Sequence, residues 1–153
     1  MKKHLLIVYS TQTGRTRRLV EAACTGAAEL ADEVEVRTLR AFDAGLDDLL
    51  WAEGLIVASP ENFGYLSGAV KDFLDRTYYP AEGRTVGLAY AMLVSAGNDG
   101  TGAVRALERI ANGYQWKRVA DPVICKGEID EVGIAAAREL GQTLAAGIAF
   151  GVF

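Results

Sequence analysis

The sequence is poor in the residues that most enzymes use for side-chain chemistry: it has one histidine, His4, and two cysteines, Cys24 and Cys125. His4 stands at the entrance to the first apolar run, apart from every candidate site, and reads as a surface or strand-edge residue. Neither a His-based triad nor a His-rich metal centre is available. The cysteines lie far apart without metal-ligand spacing and read as buried reduced thiols, which suits a cytoplasmic protein. Long hydrophobic runs are also missing. The opening Met1-Lys2-Lys3-His4-Leu5-Leu6-Ile7-Val8-Tyr9 loses its apolar character at Thr11-Gln12-Thr13-Gly14, so it reads as a strand and not as a signal peptide. The apolar tail Leu144–Phe153 is likewise shorter than the roughly 20 residues a bilayer crossing needs. Positive charge is in deficit too, with 16 Lys+Arg against 20 Asp+Glu and a net charge of -4. No basic stripe is present to neutralise phosphates in a row, so nucleic acid is excluded as a partner. With three prolines, no Pro/Gly/Ser linker and no internal repeat, residues 1–153 read as one domain.

What the chain does have is apolar bulk. Half of its residues are hydrophobic, 24% are charged and the mean hydropathy is +0.12, as expected of a sheet covered on both faces. Short continuous apolar runs alternate with segments of helical period, the pattern of βαβ units. Five strands are predicted at Leu5–Ser10, Val34–Leu39, Gly54–Ser59, Val86–Ser95 and Arg118–Cys125, and the first, third and fourth are apolar enough to be central. Helical stripes are carried by Leu19, Val20, Ala23, Ala27 and Leu30, by Val70, Phe73 and Leu74, by Val104, Leu107, Ile110 and Ala111, and by Ile134, Leu140 and Leu144 between Asp130 and about Gly147. A shorter helix is placed around Leu46–Trp51. Right-handed crossovers then give an α/β fold of three layers, a doubly wound parallel sheet whose ligand sits beyond the carboxyl ends of the strands. The loops after strands one, three and four are where chemistry is expected.

Ser10-Thr11-Gln12-Thr13-Gly14-Arg15-Thr16 follows the first strand and opens the first helix, where free N–H groups and the positive end of the dipole attract an anion. Four hydroxyls in these seven residues exceed what one helix cap requires, and Gly14 permits close approach of a ligand. The segment lacks the lysine of a triphosphate loop, so a single terminal phosphate is favoured. After the third strand, Pro60-Glu61-Asn62-Phe63-Gly64-Tyr65 displays two aromatics among turn formers. Phe63 and Tyr65 have a competing reading as core residues, and Glu61 and Arg15 as solvated charges. After the fourth strand, Ser95-Ala96-Gly97-Asn98-Asp99-Gly100-Thr101-Gly102 carries more glycine than a turn needs, which points to backbone lying against a ligand. Arg105 stands where a dinucleotide fingerprint would need its third glycine, so that motif is discounted. Asp99 reads as a turn residue or helix cap and not as a catalytic acid.

Thr11-Gln12-Thr13-Gly14-Arg15-Thr16 resembles the Thr-x-Thr-Gly-x-Thr phosphate signature of the flavodoxin family. Pro60 to Gly68 with the following Lys71, Phe73, Leu74, Asp75 and Arg76 is similar to the corresponding loop and helix of the NAD(P)H-dependent FMN reductases and WrbA-like quinone reductases of the same superfamily. The resemblance extends over nearly the whole chain and implies a flavodoxin-like strand order 2-1-3-4-5. It implies FMN as cofactor, with the phosphate at Ser10, Thr11, Gln12, Thr13, Gly14, Arg15 and Thr16. The ring would be bordered by Pro60, Glu61, Asn62, Phe63 and Gly64, and its pyrimidine edge met by Ser95, Gly97, Asn98, Asp99 and Gly100. No metal and no catalytic side chain are implied, since the chemistry belongs to the flavin N5.

Three functions share these loops. The leading one is an oxidoreductase that takes electrons from NAD(P)H and passes them to a quinone, a free flavin or a similar small acceptor. The second is a flavodoxin-type carrier that docks on protein redox partners, although a net charge of -4 steers only modestly. The third is a flavin-binding regulatory or storage protein. Tyr78, Tyr79 and Trp116 are candidate surface aromatics for an oligomer or partner contact, against a reading as half-buried residues.

Overall fold

A computed structural model describes residues Met1–Phe153. The elements run β1 (Lys3–Tyr9), α1 (Arg15–Ala27), β2 (Val34–Arg40), α2 (Leu46–Trp51), β3 (Gly54–Pro60), α3 (Gly68–Ala81), β4 (Ala89–Ala96), α4 (Thr101–Tyr114), β5 (Lys117–Arg118), β6 (Val123–Lys126) and α5 (Glu131–Ala149). All pairings are parallel, in the order β2-β1-β3-β4, with β5 and β6 both lying along the free side of β4. The strand order 2-1-3-4-5 is thus as expected, with β1, β3 and β4 inside.

Alternation along the inner strands divides the core into two halves. Leu6, Val8, Leu55, Val57, Tyr90, Met92 and Val94 face α2, α3 and α4, where Val70, Phe73, Leu74, Leu107 and Ala111 close the layer. Leu5, Ile7, Ile56, Ala58, Ala91 and Leu93 face α1 and α5, meeting Leu19, Val20, Ala23, Leu140 and Leu144. The second layer is thin because α1 and α5 approach with almost nothing between their backbones. A Cβ on Gly26 would stand 1.9 Å from the Arg138 carbonyl oxygen, and one on Gly141 would stand 1.9 Å from that of Ala23.

Five expectations need correction. The fifth strand is not continuous from Arg118 to Cys125: it breaks between β5 and β6 at Val119–Pro122, where Pro122 has no N–H to offer the ladder. The fourth strand starts at Ala89 and not at Val86, because a turn closed by the Leu88 N–H on the Thr85 carbonyl, with Gly87 at φ 78°, leaves Val86 exposed. Trp116 is buried, its Nε1 donating to Thr85 Oγ1 at 2.9 Å, whereas Tyr79 is exposed. His4 lies on an internal strand and stacks on Trp51 at 4.2 Å between ring centroids, with Nδ1 3.0 Å from the Trp51 carbonyl oxygen. Both thiols are free; Cys125 is buried, which raises its pKa, while Cys24 is only half-buried.

Beneath the sheet, Tyr114 donates its hydroxyl proton to the Leu74 carbonyl at 2.7 Å and lies 2.8 Å from Thr77 Oγ1. Burial pushes its phenol up to about 12, against a lowering by the Thr77 hydrogen bond.

Two outcomes follow from this packing. Gly141→Ala should destabilise the protein by about 1–3 kcal/mol, the usual cost of forcing apart a closely packed contact, and urea unfolding against wild type reads it directly. Tyr114 predicts a pH dependence. In the unfolded chain its phenol ionises near 10.0, while the folded one stays neutral up to about 12. Its contribution is therefore complete below pH of about 10 and falls away as the pH rises from about 10 to about 12. Over that window wild type should lose about 2–3 kcal/mol more than Tyr114→Phe.

Candidate functional site

Because every strand runs the same way, the chain leaves β1, β3 and β4 at one edge of the sheet, and their loops meet there. They enclose a cleft of about 140 Å³ lined by Gln12, Thr13, Arg15, Thr16, Pro60, Glu61, Asn62, Ser95, Ala96 and Gly97.

The first loop has the donors an anion requires. Helix α1 begins after Gly14, held at φ 92° as its N-cap with no side-chain cap of its own. The N–H groups of Gln12, Thr13, Arg15, Thr16 and Arg17 have no acceptor in the protein, whereas that of Gly14 donates to Thr11 Oγ1 at 3.0 Å. Of the four hydroxyls in the loop, three are already engaged. Thr11 serves Gly14, Ser10 Oγ meets Ser67 Oγ, and Thr16, 1% exposed, lies 2.7 Å from Ser95 Oγ. Only Thr13 presents a hydroxyl with no protein partner, and it is exposed into the cleft. Arg15 lines the cleft while its guanidinium pairs with Glu128.

The second loop is a tight turn. Asn62 and Tyr65 exchange backbone hydrogen bonds, each 2.9 Å, around Phe63 at φ 51° and Gly64 at φ 74°, both left-handed as a type I′ turn demands. Phe63 is not folded into the core. It is fully exposed at the tip of the turn, in a backbone conformation that costs a phenylalanine energy, and Tyr65 is also exposed. Leu66 is the residue that anchors the loop, and Ser67 caps α3 by accepting from the Val70 N–H at 3.3 Å.

Glu61 is not a solvated charge. Its carboxylate crosses to the third loop and accepts from the N–H groups of Gly100 at 3.3 Å, Gly102 at 2.9 Å and Ala103 at 3.3 Å. This corrects the reading of the glycine run. Gly100 is buried and packs on the protein, where a Cβ would stand 2.5 Å from Ile124, and Gly102 lets the Gly64 carbonyl come within 2.0 Å of where its own Cβ would be. Gly97 alone lines the cleft with open space where a side chain would go. Asp99 is exposed and caps Thr101, accepting from its N–H at 3.0 Å and its hydroxyl at 2.8 Å; these bonds hold its carboxyl below the usual range.

The sequence therefore places nine of its candidates around one cleft, and the structure sets Ser10, Thr11, Gly14, Phe63, Gly64, Asn98, Asp99 and Gly100 behind or beside it. Ala96 was missed because a small apolar residue at a strand end carries no signal. Ser67 was missed as a site-building residue, although its position directly before a helix marks it as a cap.

The model of the NADPH-dependent FMN reductase family matches residues 3–125. The chain belongs to that family. Among curated proteins it is similar to a flavodoxin of Aquifex aeolicus, 36% identical over 98 residues that make up 64% of this chain and 52% of that protein. It is also similar to an NAD(P)H dehydrogenase (quinone) of Acidithiobacillus ferrooxidans, 32% identical over 111 residues, or 60% of this chain and 56% of that protein. The chain spans about half the length of both relatives. A solved flavodoxin from the domain Archaea superposes with a TM-score of 0.83 over 95% of this chain and 98% of that one, at 22% identity, which establishes the flavodoxin-like fold. In this FMN reductase family member no helix is long and apolar enough to cross a membrane, and no group of His, Cys, Asp and Glu is arranged to hold a metal ion.

Proposed function

We propose that the chain binds one FMN in this cleft and works as an NAD(P)H-dependent oxidoreductase that passes electrons to a quinone, a flavin or a similar small acceptor. The observation that carries the reading is the row of unpartnered N–H groups at Gln12, Thr13, Arg15 and Thr16, residues that line the same cleft as the other two loops. Four free backbone donors at the positive end of a helix suit a phosphate monoester, and the free Thr13 hydroxyl adds one rotatable donor. Beyond them, the amides of Gly97 and Asn98 are also without acceptors in the protein and suit the carbonyl oxygens of a pyrimidine edge. The cleft has one hydrophobic lining residue, so it suits the polar side of the cofactor and leaves the apolar side toward Phe63 and Tyr65.

Bound FMN would supply hydride and single-electron chemistry. The residues of the chain do the rest. The α1 amides hold the phosphate, Gly97 leaves room for the ring, and the Gly97 and Asn98 amides offset negative charge at its pyrimidine edge. Of the side chains that line the cleft, the Glu61 carboxylate is held by the α4 amides and the Thr16 and Ser95 hydroxyls by each other, which fits a reaction whose reactive atoms all lie on cofactor and substrate.

A second reading, a carrier that docks on protein redox partners without a nucleotide, draws support from the 36% identical relative named flavodoxin. A cytoplasmic location, one domain and a capacity to self-associate fit either reading.

Anaerobic mixing of FMN-loaded protein with NADPH, and separately with NADH, decides between them. Bleaching of the flavin absorbance by one nucleotide, reversed by a quinone, is the outcome expected of the reductase. Bleaching by dithionite but by neither nucleotide would make the carrier the correct reading. For the site itself, Gly97→Val should keep wild-type unfolding behaviour, since a Cβ there meets no protein atom within 4 Å, while losing flavin. Riboflavin, which lacks the phosphate, should bind wild type more weakly than FMN by several kcal/mol, at about 1.5–3 kcal/mol for each charged hydrogen bond. Equal affinities in a fluorescence-quenching titration would remove the phosphate from the α1 loop.

A further inference from the structure

We propose that Glu61 is a positioning residue that sets the reduction potential of the flavin in this cleft. It does so by clasping the loop after β3 to the amino end of α4 and by occupying the free amides of that helix with a fixed negative charge. The inference rests on the FMN reading above and concerns what the protein does to the cofactor once it is bound.

Helix α4 follows Gly100, its N-cap at φ 75°, which has no side chain with which to cap it. The nearby carboxylate, Asp99, turns to Thr101. The amides of Gly100, Gly102 and Ala103 are met instead by a carboxylate about 40 residues earlier, on the opposite wall of the cleft. Two further contacts show that the two loops are built to touch. The Glu61 N–H donates to the Ser95 carbonyl at 2.8 Å, and Gly102 is packed so tightly on Gly64 that a Cβ there would lie 2.0 Å from its carbonyl oxygen. The cleft wall is therefore a clasped pair of loops with Glu61 as the clasp.

The charge has its own consequence. Glu61 lines the cleft together with Ser95, Ala96 and Gly97, and it makes no ion pair with a lysine or arginine. Arg15, the cation on the facing wall, is already paired with Glu128. A carboxylate in this place offsets the positive end of α4 and puts a negative charge in the wall of the cleft that FMN would occupy, where reduction would add further negative charge. Both effects work against reduction and hold the potential low. With an uncharged residue at this position the helix end would attract the added charge.

The test is a spectroelectrochemical titration of FMN-loaded wild type, Glu61→Gln and Glu61→Asp, together with hydrogen exchange of the Gly100, Gly102 and Ala103 amides in the flavin-free proteins. The expected result is a more positive potential for Glu61→Gln and a value near wild type for Glu61→Asp, which keeps the charge. The three amides should exchange roughly tenfold faster in Glu61→Gln. A Glu61→Gln potential equal to wild type with FMN bound, or a shift shared equally by Glu61→Asp, overturns the electrostatic role. Unchanged amide exchange overturns the clasp. If wild type binds no FMN, the flavin reading fails and takes the potential-setting role with it, while the exchange result still decides whether the clasp exists.

Discussion

A polar group removed from water must find a partner inside the protein, and at the carboxyl edge of this sheet that requirement shapes everything around it. No buried side-chain nitrogen or oxygen is left without a hydrogen bond. The partners are drawn from different loops. Ser10 on the first loop meets Ser67 at the end of the second, Thr16 on the first helix meets Ser95 at the end of β4, and Glu61 on the second loop meets the amides of Gly100, Gly102 and Ala103 on the third. Each loop is tied to the other two, and the cleft is the space between the ties.

This division of labour separates donors that build the wall from donors that face inward. Side-chain hydroxyls and the Glu61 carboxylate are mostly consumed in holding the loops, so the groups left for a ligand are chiefly backbone N–H groups, with Thr13 as the exception. Backbone donors at a helix start are rigid and need little reorganisation when an anion arrives, which is why such sites recur wherever phosphate is held. The same logic explains Phe63. The turn that carries it is pinned by the Asn62 and Tyr65 backbone bonds and by the Gly64 contact with Gly102, so the chain tolerates a strained phenylalanine fully in solvent at the rim of the cleft.

The layers of the fold were legible because each rests on local patterning. Apolar runs such as Leu5–Val8 and Leu55–Ala58 can be read as doubly buried strands without any knowledge of their neighbours, and the stripe Leu19, Val20, Ala23 marks a helix face by spacing alone. Breaks in the pattern were legible only in part. Val86 looks like strand but is diverted by the turn at Gly87, and Pro122 interrupts a run that otherwise reads as one strand. The glycines were ambiguous for a deeper reason. Sequence marks Gly97, Gly100 and Gly102 alike, yet Gly97 opens on the cleft, Gly100 packs on Ile124 and Gly102 yields to Gly64, and the difference lies entirely in residues distant along the chain.

Sequence by itself determined which elements form, in what order they follow, and which three loops must come together, since a parallel sheet with right-handed crossovers delivers every strand end to the same edge. Tertiary structure alone decided what each polar group in those loops does. Thr16 and Thr13 are equivalent in the motif, but the packing of α1 against the end of β4 brings Ser95 to Thr16 while Thr13 has no protein partner, so one hydroxyl is buried in a clasp and the other is left for a ligand. Glu61 could not be distinguished from a surface charge until α4 was placed beside it. Hydrogen bonds reach only about 3 Å, and partners 39 to 79 residues apart are chosen by packing, not by proximity along the chain.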